Sequence, residues 1–100
     1  MENKTFITKS EIEKNIKKGK IVIIIDVRSV EEYQQKHIPN AINIPIEEIE
    51  QIDLKLDANS IIVTACGKGG GRSEKSAEIL KSKIKNEVYF LEGGTFGWFE

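Results

Sequence analysis

The chain has 100 residues, 39% of them hydrophobic and 31% charged, and its formal net charge is -1. One domain over residues 1–100 is the expectation for this length. The near-neutral, interleaved charge excludes the basic excess of a nucleic-acid binder, and a lone cysteine excludes both an intramolecular disulfide and a cysteine-rich zinc site.

The opening Met1-Glu2-Asn3-Lys4 is followed by no apolar h-region, so no signal peptide is expected. The longest apolar run, Ile21–Ile25, is far too short to span a bilayer. An unpaired thiol fits a reducing compartment, so a soluble cytoplasmic protein is expected.

In chain order, Thr5–Thr8 reads as a short strand. Ser10 with Glu13 has the spacing of a capping box, predicting a helix with Ile12 and Ile16 on one face, closed by Lys17, Lys18 and Gly19. The β-branched run Ile21–Ile25 predicts a strand apolar on both faces, which belongs in the middle of a parallel sheet. It leads into Asp26-Val27-Arg28. Ser29 with Glu32 forms a second capping box for a helix over Val30–Lys36, with Tyr33 turned inward. His37–Ala41 is a turn in which Asn40 suits a left-handed backbone.

Ile42–Ile44 is a short strand stopped by Pro45. Ile46–Ile52 predicts a short helix, and Asp57–Ser60 is a polar turn. Ile61–Ala65 is a strand ending at Cys66. Ser73–Ile84 has helical spacing at Ala77, Leu80 and Ile84, with Asn86 as a C-cap. Val88–Leu91 is a last buried strand before the Gly93-Gly94 turn. Phe96, Trp98 and Phe99 are expected to pack in the core or at its edge beneath that turn, with lining of the substrate entrance as the alternative for Phe96 or Trp98. Strands alternating with helices give an α/β fold in three layers, with a mostly parallel central sheet of about five strands flanked by helices.

The chemistry gathers at Cys66-Gly67-Lys68-Gly69-Gly70-Gly71-Arg72-Ser73. Open α/β sheets place ligands at the C-terminal ends of their strands. Three consecutive glycines let the backbone curl with its N–H groups inward as an anion nest, and a helix opening near Arg72 adds free N–H groups and a positive dipole end. Such a loop stabilises a thiolate at Cys66 and holds the oxygens of an anionic substrate. Arg72 has the planar fork to grip two oxygens, Ser73 a hydroxyl to donate to sulfur, and Lys68 a charge for the rim. A bare cysteine at a strand end is ordinarily a buried filler, but a filler needs no glycines and arginine after it. The pattern identifies a cysteine nucleophile over an anion pocket without naming the anion.

Asp26 and Arg28 fall on the same sheet edge as Cys66 if the strands are parallel. They read as a structural network supporting the loops, with a field-shaping role for Arg28 as the alternative. His37, the sole histidine, reads as part of a fold-forming turn. Glu74 is the nearest acid in sequence to the thiol. The other glutamates read as caps and solvated faces, and no metal-ligand spacing exists.

The chain resembles the rhodanese-like family over nearly its whole length. Asp26-Val27-Arg28 with Glu32-Tyr33 and His37-Ile38-Pro39-Asn40-Ala41-Ile42-Asn43-Ile44-Pro45 is similar to the family's first signature. The Cys66 loop resembles its active-site loop, and Leu91-Glu92-Gly93-Gly94 with Trp98 its C-terminal signature. The resemblance implies a rhodanese-like fold and a sulfurtransferase. Cys66 would take sulfane sulfur, for example from thiosulfate, as a persulfide held by residues Gly67 to Arg72. A thiophilic acceptor (cyanide, a thiol or a protein thiol) would then remove it. No metal or organic cofactor, nucleic acid or membrane is implied, and a monomer or weak dimer is expected. The loop is one residue longer than in ordinary single-domain rhodaneses. Its Cys-x5-Arg spacing resembles rhodanese-fold phosphatases and arsenate reductases, which is the alternative activity; a non-catalytic sulfur carrier or binding module is a third reading.

Overall fold

Two continuous apolar strands make the centre of the molecule, and everything else is laid around them. The computed structural model describes residues 4–100; Met1, Glu2 and Asn3, on which the signal-peptide expectation partly rests, lie outside the described residues. Strand β1 is Phe6–Ile7, β2 Val22–Asp26, β3 Ile42–Asn43, β4 Ile61–Ala65 and β5 Val88–Leu91. They form one sheet in the order β1-β5-β4-β2-β3, with every pairing parallel. The helices are α1 (Lys9–Lys17), α2 (Val30–Gln35), α3 (Ile46–Ile49), α4 (Gly71–Lys83) and α5 (Gly94–Trp98).

Side chains alternate across a strand, so the central strands feed two cores. Ile24 of β2 and Ile61, Val63 and Ala65 of β4 meet Ile12 of α1, with Tyr33 of α2 and Trp98 of α5 against them. On the other face Ile25, Ile62 and Val88 meet Ile49 of α3 and Ala77 and Leu80 of α4. The two faces give the three layers expected. Each fully buried Ile or Leu in them contributes about 1.5–3 kcal/mol. Cys66 belongs to the α4 face. Register places Asp26 beside Ala65, and Val27 N–H donates to the Ala65 carbonyl at 2.9 Å, so the ends of β2 and β4 are level.

Several local expectations are corrected. α1 starts two residues early: Thr8 caps it, its Oγ1 accepting from Glu11 N–H at 3.1 Å while Glu11 Oε1 accepts from Thr8 N–H at 3.0 Å. Both pairs fit the capping-box pattern, and the earlier one wins because each residue added to a started helix gains a backbone bond. Ser10 is therefore an exposed helical residue. α3 ends at Ile49 rather than Ile52, and Lys83 Nζ donates to the carbonyls of Ile49, Glu50 and Ile52 left free there, at 3.1, 2.6 and 2.8 Å. Asn86 is no helix cap. Its amide donates to the carbonyls of Asp57 and Ser60 at 2.8 and 2.9 Å and ties down the polar turn before β4. The left-handed backbone expected at Asn40 is present, with φ 70°.

Candidate active site

Cys66 leaves β4 at the C-terminal sheet edge and turns back under the first turn of α4. β4 and α4 are stitched together there. Thr64, fully buried, donates its hydroxyl to the Ser73 carbonyl at 2.7 Å. Two residues on, and so on the same face, Cys66 Sγ lies 3.2 Å from Ser73 Oγ. Ser73 Oγ also lies 3.1 Å from the Gly70 carbonyl. A hydroxyl has one proton. Beside a neutral thiol, the S–H donates to Ser73 Oγ and the hydroxyl donates to Gly70. Once Cys66 ionises, the hydroxyl turns its proton to the sulfur.

α4 has no side-chain cap at its N-terminus, so its leading N–H groups are left for the loop. Burial pushes the Cys66 thiol up. The Ser73 hydroxyl and the backbone N–H groups of Ser73, Gly70 and Gly69 more than offset that, and the thiol titrates below its ordinary value.

The loop is held from the other side by the Gly93-Gly94 turn. Thr95 N–H donates to the Cys66 carbonyl at 2.7 Å and Phe96 N–H to the Gly67 carbonyl at 3.0 Å. Gly69 (φ +80°) and Gly94 (φ +62°) interlock. A Cβ on Gly69 would lie 2.7 Å from the Gly93 nitrogen, and one on Gly94 2.5 Å from the Gly69 nitrogen and 2.6 Å from the Cys66 carbonyl oxygen. Two glycines far apart in sequence thus allow one close backbone contact.

Above the thiol is an open depression of about 530 Å³. Cys66, Gly67, Lys68, Gly70, Gly71 and Arg72 line it, joined by Glu32 and Phe96. Gly69 is turned into the glycine lock and Ser73 lies beneath the sulfur. Cys66 itself is only 4% exposed, so reagents reach it through this opening. Arg72 is not free: its Nη1 and Nη2 donate to Glu32 Oε1 and Oε2 at 3.0 and 3.4 Å. Glu32 still closes the α2 cap with Ser29. The Arg72 guanidinium and the Ser29 backbone N–H hold its carboxyl down at about 2. Among the described residues Lys68 is in no ion pair.

Asp26 and Arg28 form a buried ion pair at 2.7 Å below this surface. Arg28 also donates to the Lys36 carbonyl at 2.6 Å, and Asn43 Nδ2 ties the backbone carbonyls of Asp26 and Arg28 at 2.9 and 3.1 Å. This geometry is that of the loop-ordering network. The Phe96 ring lies 5.8 Å from the guanidinium and roofs it. His37 stacks on Tyr33 with ring centroids 3.8 Å apart and takes no part in the pocket lining, nor does Glu74.

The packing expected of the C-terminal aromatics holds for Trp98, is corrected for Phe99, and at Phe96 gives way to the alternative place at the pocket. Trp98 packs half-buried on the α1 face. Phe99 is exposed, near Lys36. Phe96 is 49% exposed and forms a wall of the pocket. Sequence reasoning missed Thr64, and it assigned Glu32 only to its cap. A capping box fully accounts for a Glu at that position, and nothing local signals an ion pair forty residues away. Among the described residues no group of three or more His, Cys, Asp or Glu is placed to hold a metal ion, and no helix is long and apolar enough to cross a membrane.

Residues 8–100 match the family described as "Rhodanese-like domain". Among curated proteins, the chain is 36% identical over 75 residues to "Putative sulfur carrier protein YrkF" of Bacillus subtilis, covering 75% of this chain but 40% of that protein. It is 27% identical over 81 residues to "Thiosulfate sulfurtransferase GlpE" of Coxiella burnetii, covering 81% of this chain and 75% of that one. A crystal structure of a rhodanese-like domain protein from Staphylococcus aureus superposes with a TM-score of 0.79 at 33% identity, over 94% of this chain and 90% of that chain.

Proposed function

The chain belongs to the rhodanese-like domain family, and from that premise we propose that it is a sulfurtransferase with Cys66 as nucleophile. The observation that carries the reading is Cys66 Sγ, 3.2 Å from the Ser73 hydroxyl and held below its ordinary pKa by that hydroxyl and the loop N–H groups. The thiolate attacks the sulfane sulfur of a donor such as thiosulfate. An Sγ–S bond forms, the donor's S–S bond breaks, and the leaving group departs with the electron pair. The terminal charge of the Cys66 persulfide then sits among the same N–H donors. A thiolate or cyanide attacks the outer sulfur and returns Cys66 as thiolate.

The same reading makes the partners small sulfur donors and a thiol, protein thiol or cyanide acceptor. It suits a reducing cytoplasm, where the lone thiol stays free. The mass of the intact protein tests it. Treatment with thiosulfate or polysulfide adds one sulfur to the wild type, cyanide or dithiothreitol removes it, and Cys66→Ser gains none. A wild type that stays unmodified with every sulfane donor overturns the proposal.

The Cys-x5-Arg spacing is the one observation favouring a phosphatase or arsenate reductase. That reading requires turnover of an aryl phosphate, inhibited by vanadate, above the Cys66→Ser blank. A protein with neither activity that binds a partner independently of Cys66 would be a binding module.

A further inference from the structure

We propose that the extended strap between α3 and β4 docks a second copy of this chain, strap against strap, antiparallel and centred on Leu54. The inference is independent of the chemistry at Cys66.

Residues 51–57, Gln-Ile-Asp-Leu-Lys-Leu-Asp, are built like a strand but belong to no sheet. Exposed and half-buried positions alternate along them without a break. Ile52, Leu54 and Leu56 pack on the α4 face of the core beside Ile79 and Ile84, while Asp53 and Lys55 face out. A period of two is that of extended chain. Both ends are pinned. Lys83 Nζ donates to the carbonyls of Glu50 and Ile52 at 2.6 and 2.8 Å, and Asn86 Nδ2 to that of Asp57 at 2.8 Å. With its ends tied and its inner face anchored, the strap needs little further ordering to receive a partner.

Its backbone is open. Among the described residues, no protein acceptor takes the N–H groups of Asp53 to Asp57, and no protein donor reaches the carbonyls of Asp53 to Leu56. Such groups pair with water or with another strand, and an unpaired extended edge is a template for a second chain.

Charge selects the occupant and the register. Asp53 and Lys55 are in no ion pair among the described residues. Two straps antiparallel about Leu54 set Asp53 opposite Lys55 and Lys55 opposite Asp53, with Leu54 against Leu54 and Ile52 against Leu56 on the inner face. Centring the pair on Asp53 or on Lys55 sets that charge against its own copy, and a parallel pair in register sets both so. A slip of one residue turns the apolar set outward. Opposite charges across a pair of strands stabilise it and like charges destabilise it. The strap is thus self-complementary in one register, as a twofold interface requires. Paired straps of this length fall short of the about 1,000 Å² of a stable interface, so the dimer is weak and forms at high concentration.

Sedimentation velocity over rising concentration tests this on the full chain. The wild type moves from monomer toward dimer. Asp53→Lys sets like charges opposite each other at both symmetry-related pairs, and so does Lys55→Asp; each raises the dimer dissociation constant about tenfold. An equimolar mixture of the two variants restores the dimer, because each strap then faces its opposite in charge. Misfolding of either variant is not repaired by mixing, so restoration isolates the register. A wild type that stays monomeric at about 1 mM overturns the proposal and leaves the strap to water or to a strand of another protein. A dimer that the substitutions leave unchanged, or that mixing fails to restore, places the interface elsewhere and overturns it too.

Discussion

Gly94 holds the candidate site together from a position that touches no substrate, and Gly94→Ala measures how much depends on it. At φ +62° an L side chain costs about 1–2 kcal/mol. The new Cβ would also stand 2.5 Å from the Gly69 nitrogen, 2.6 Å from the Cys66 carbonyl oxygen and 2.7 Å from the Gly67 carbonyl oxygen. All three are backbone atoms and cannot swing aside like the end of a flexible side chain. Overpacking of this kind adds about 1–3 kcal/mol, for a total of about 2–5 kcal/mol. Against a stability of about 5–15 kcal/mol this is a large share. Gly71→Ala is the internal control, since a Cβ there meets nothing within 4 Å and Ala is the better helix former. Urea unfolding reads the stability difference, and the pH dependence of Cys66 alkylation reads the loop. Gly94→Ala lowers the urea midpoint well below that of Gly71→Ala and moves the alkylation midpoint to higher pH, because the loop N–H groups are pushed off the sulfur. Equal stability of the two variants with unchanged alkylation profiles would refute the interlock.

Two further predictions concern charge. Ser73→Ala removes a donor that favours the thiolate, so the alkylation midpoint of Cys66 rises and the reaction slows at neutral pH. Because the folded thiol titrates below the unfolded one, its contribution to stability is present above the unfolded value and lost as pH falls through the folded value; Ser73→Ala narrows that window, as urea unfolding across pH would show. Asp26→Ala leaves the Arg28 guanidinium, 2% exposed, without its carboxylate, and costs about 3–5 kcal/mol in urea unfolding. A loss as small as the roughly 0–1 kcal/mol of a surface pair would show that the network does not order the loops.

The parts of this molecule that were legible in its sequence are those whose cause is local. Ile21–Ile25 and Ile61–Ala65 are apolar on both faces, and only a covered parallel sheet accommodates such strands. Cys66 followed by glycines and Arg72-Ser73 marks, within eight residues, the loop that surrounds the thiol. Where two local solutions competed, as for Thr8/Glu11 and Ser10/Glu13, pattern alone could not choose. What stayed illegible depends on distant pairs. Lys83 ties the carbonyls at the end of α3 from another helix, and Gly94 is forced by Gly69. Glu32 is the sharpest case, since one carboxylate serves a local cap and a distant arginine, and the cap conceals the second role.

That double role also bears on the lengthened loop. A phosphatase-type loop uses its arginine to cover a tetrahedral anion seated over the thiolate, which needs the fork free and aimed at the oxygens. Here a Cβ on Gly70 or Gly71 would meet nothing within 4 Å, Gly71 opens α4, and Arg72 follows in its first turn with both Nη groups on Glu32. The wider loop therefore does not deliver a free arginine to the sulfur. What remains at Cys66 is a hydroxyl and a set of backbone N–H groups, enough to hold one negative charge on a thiolate or on the outer sulfur of a persulfide. Sulfur transfer needs only that charge held in each half of its cycle, whereas phosphate transfer also needs the developing charge on several oxygens covered. The loop's length alone points toward phosphate, and the ion pair at its rim points back to sulfur.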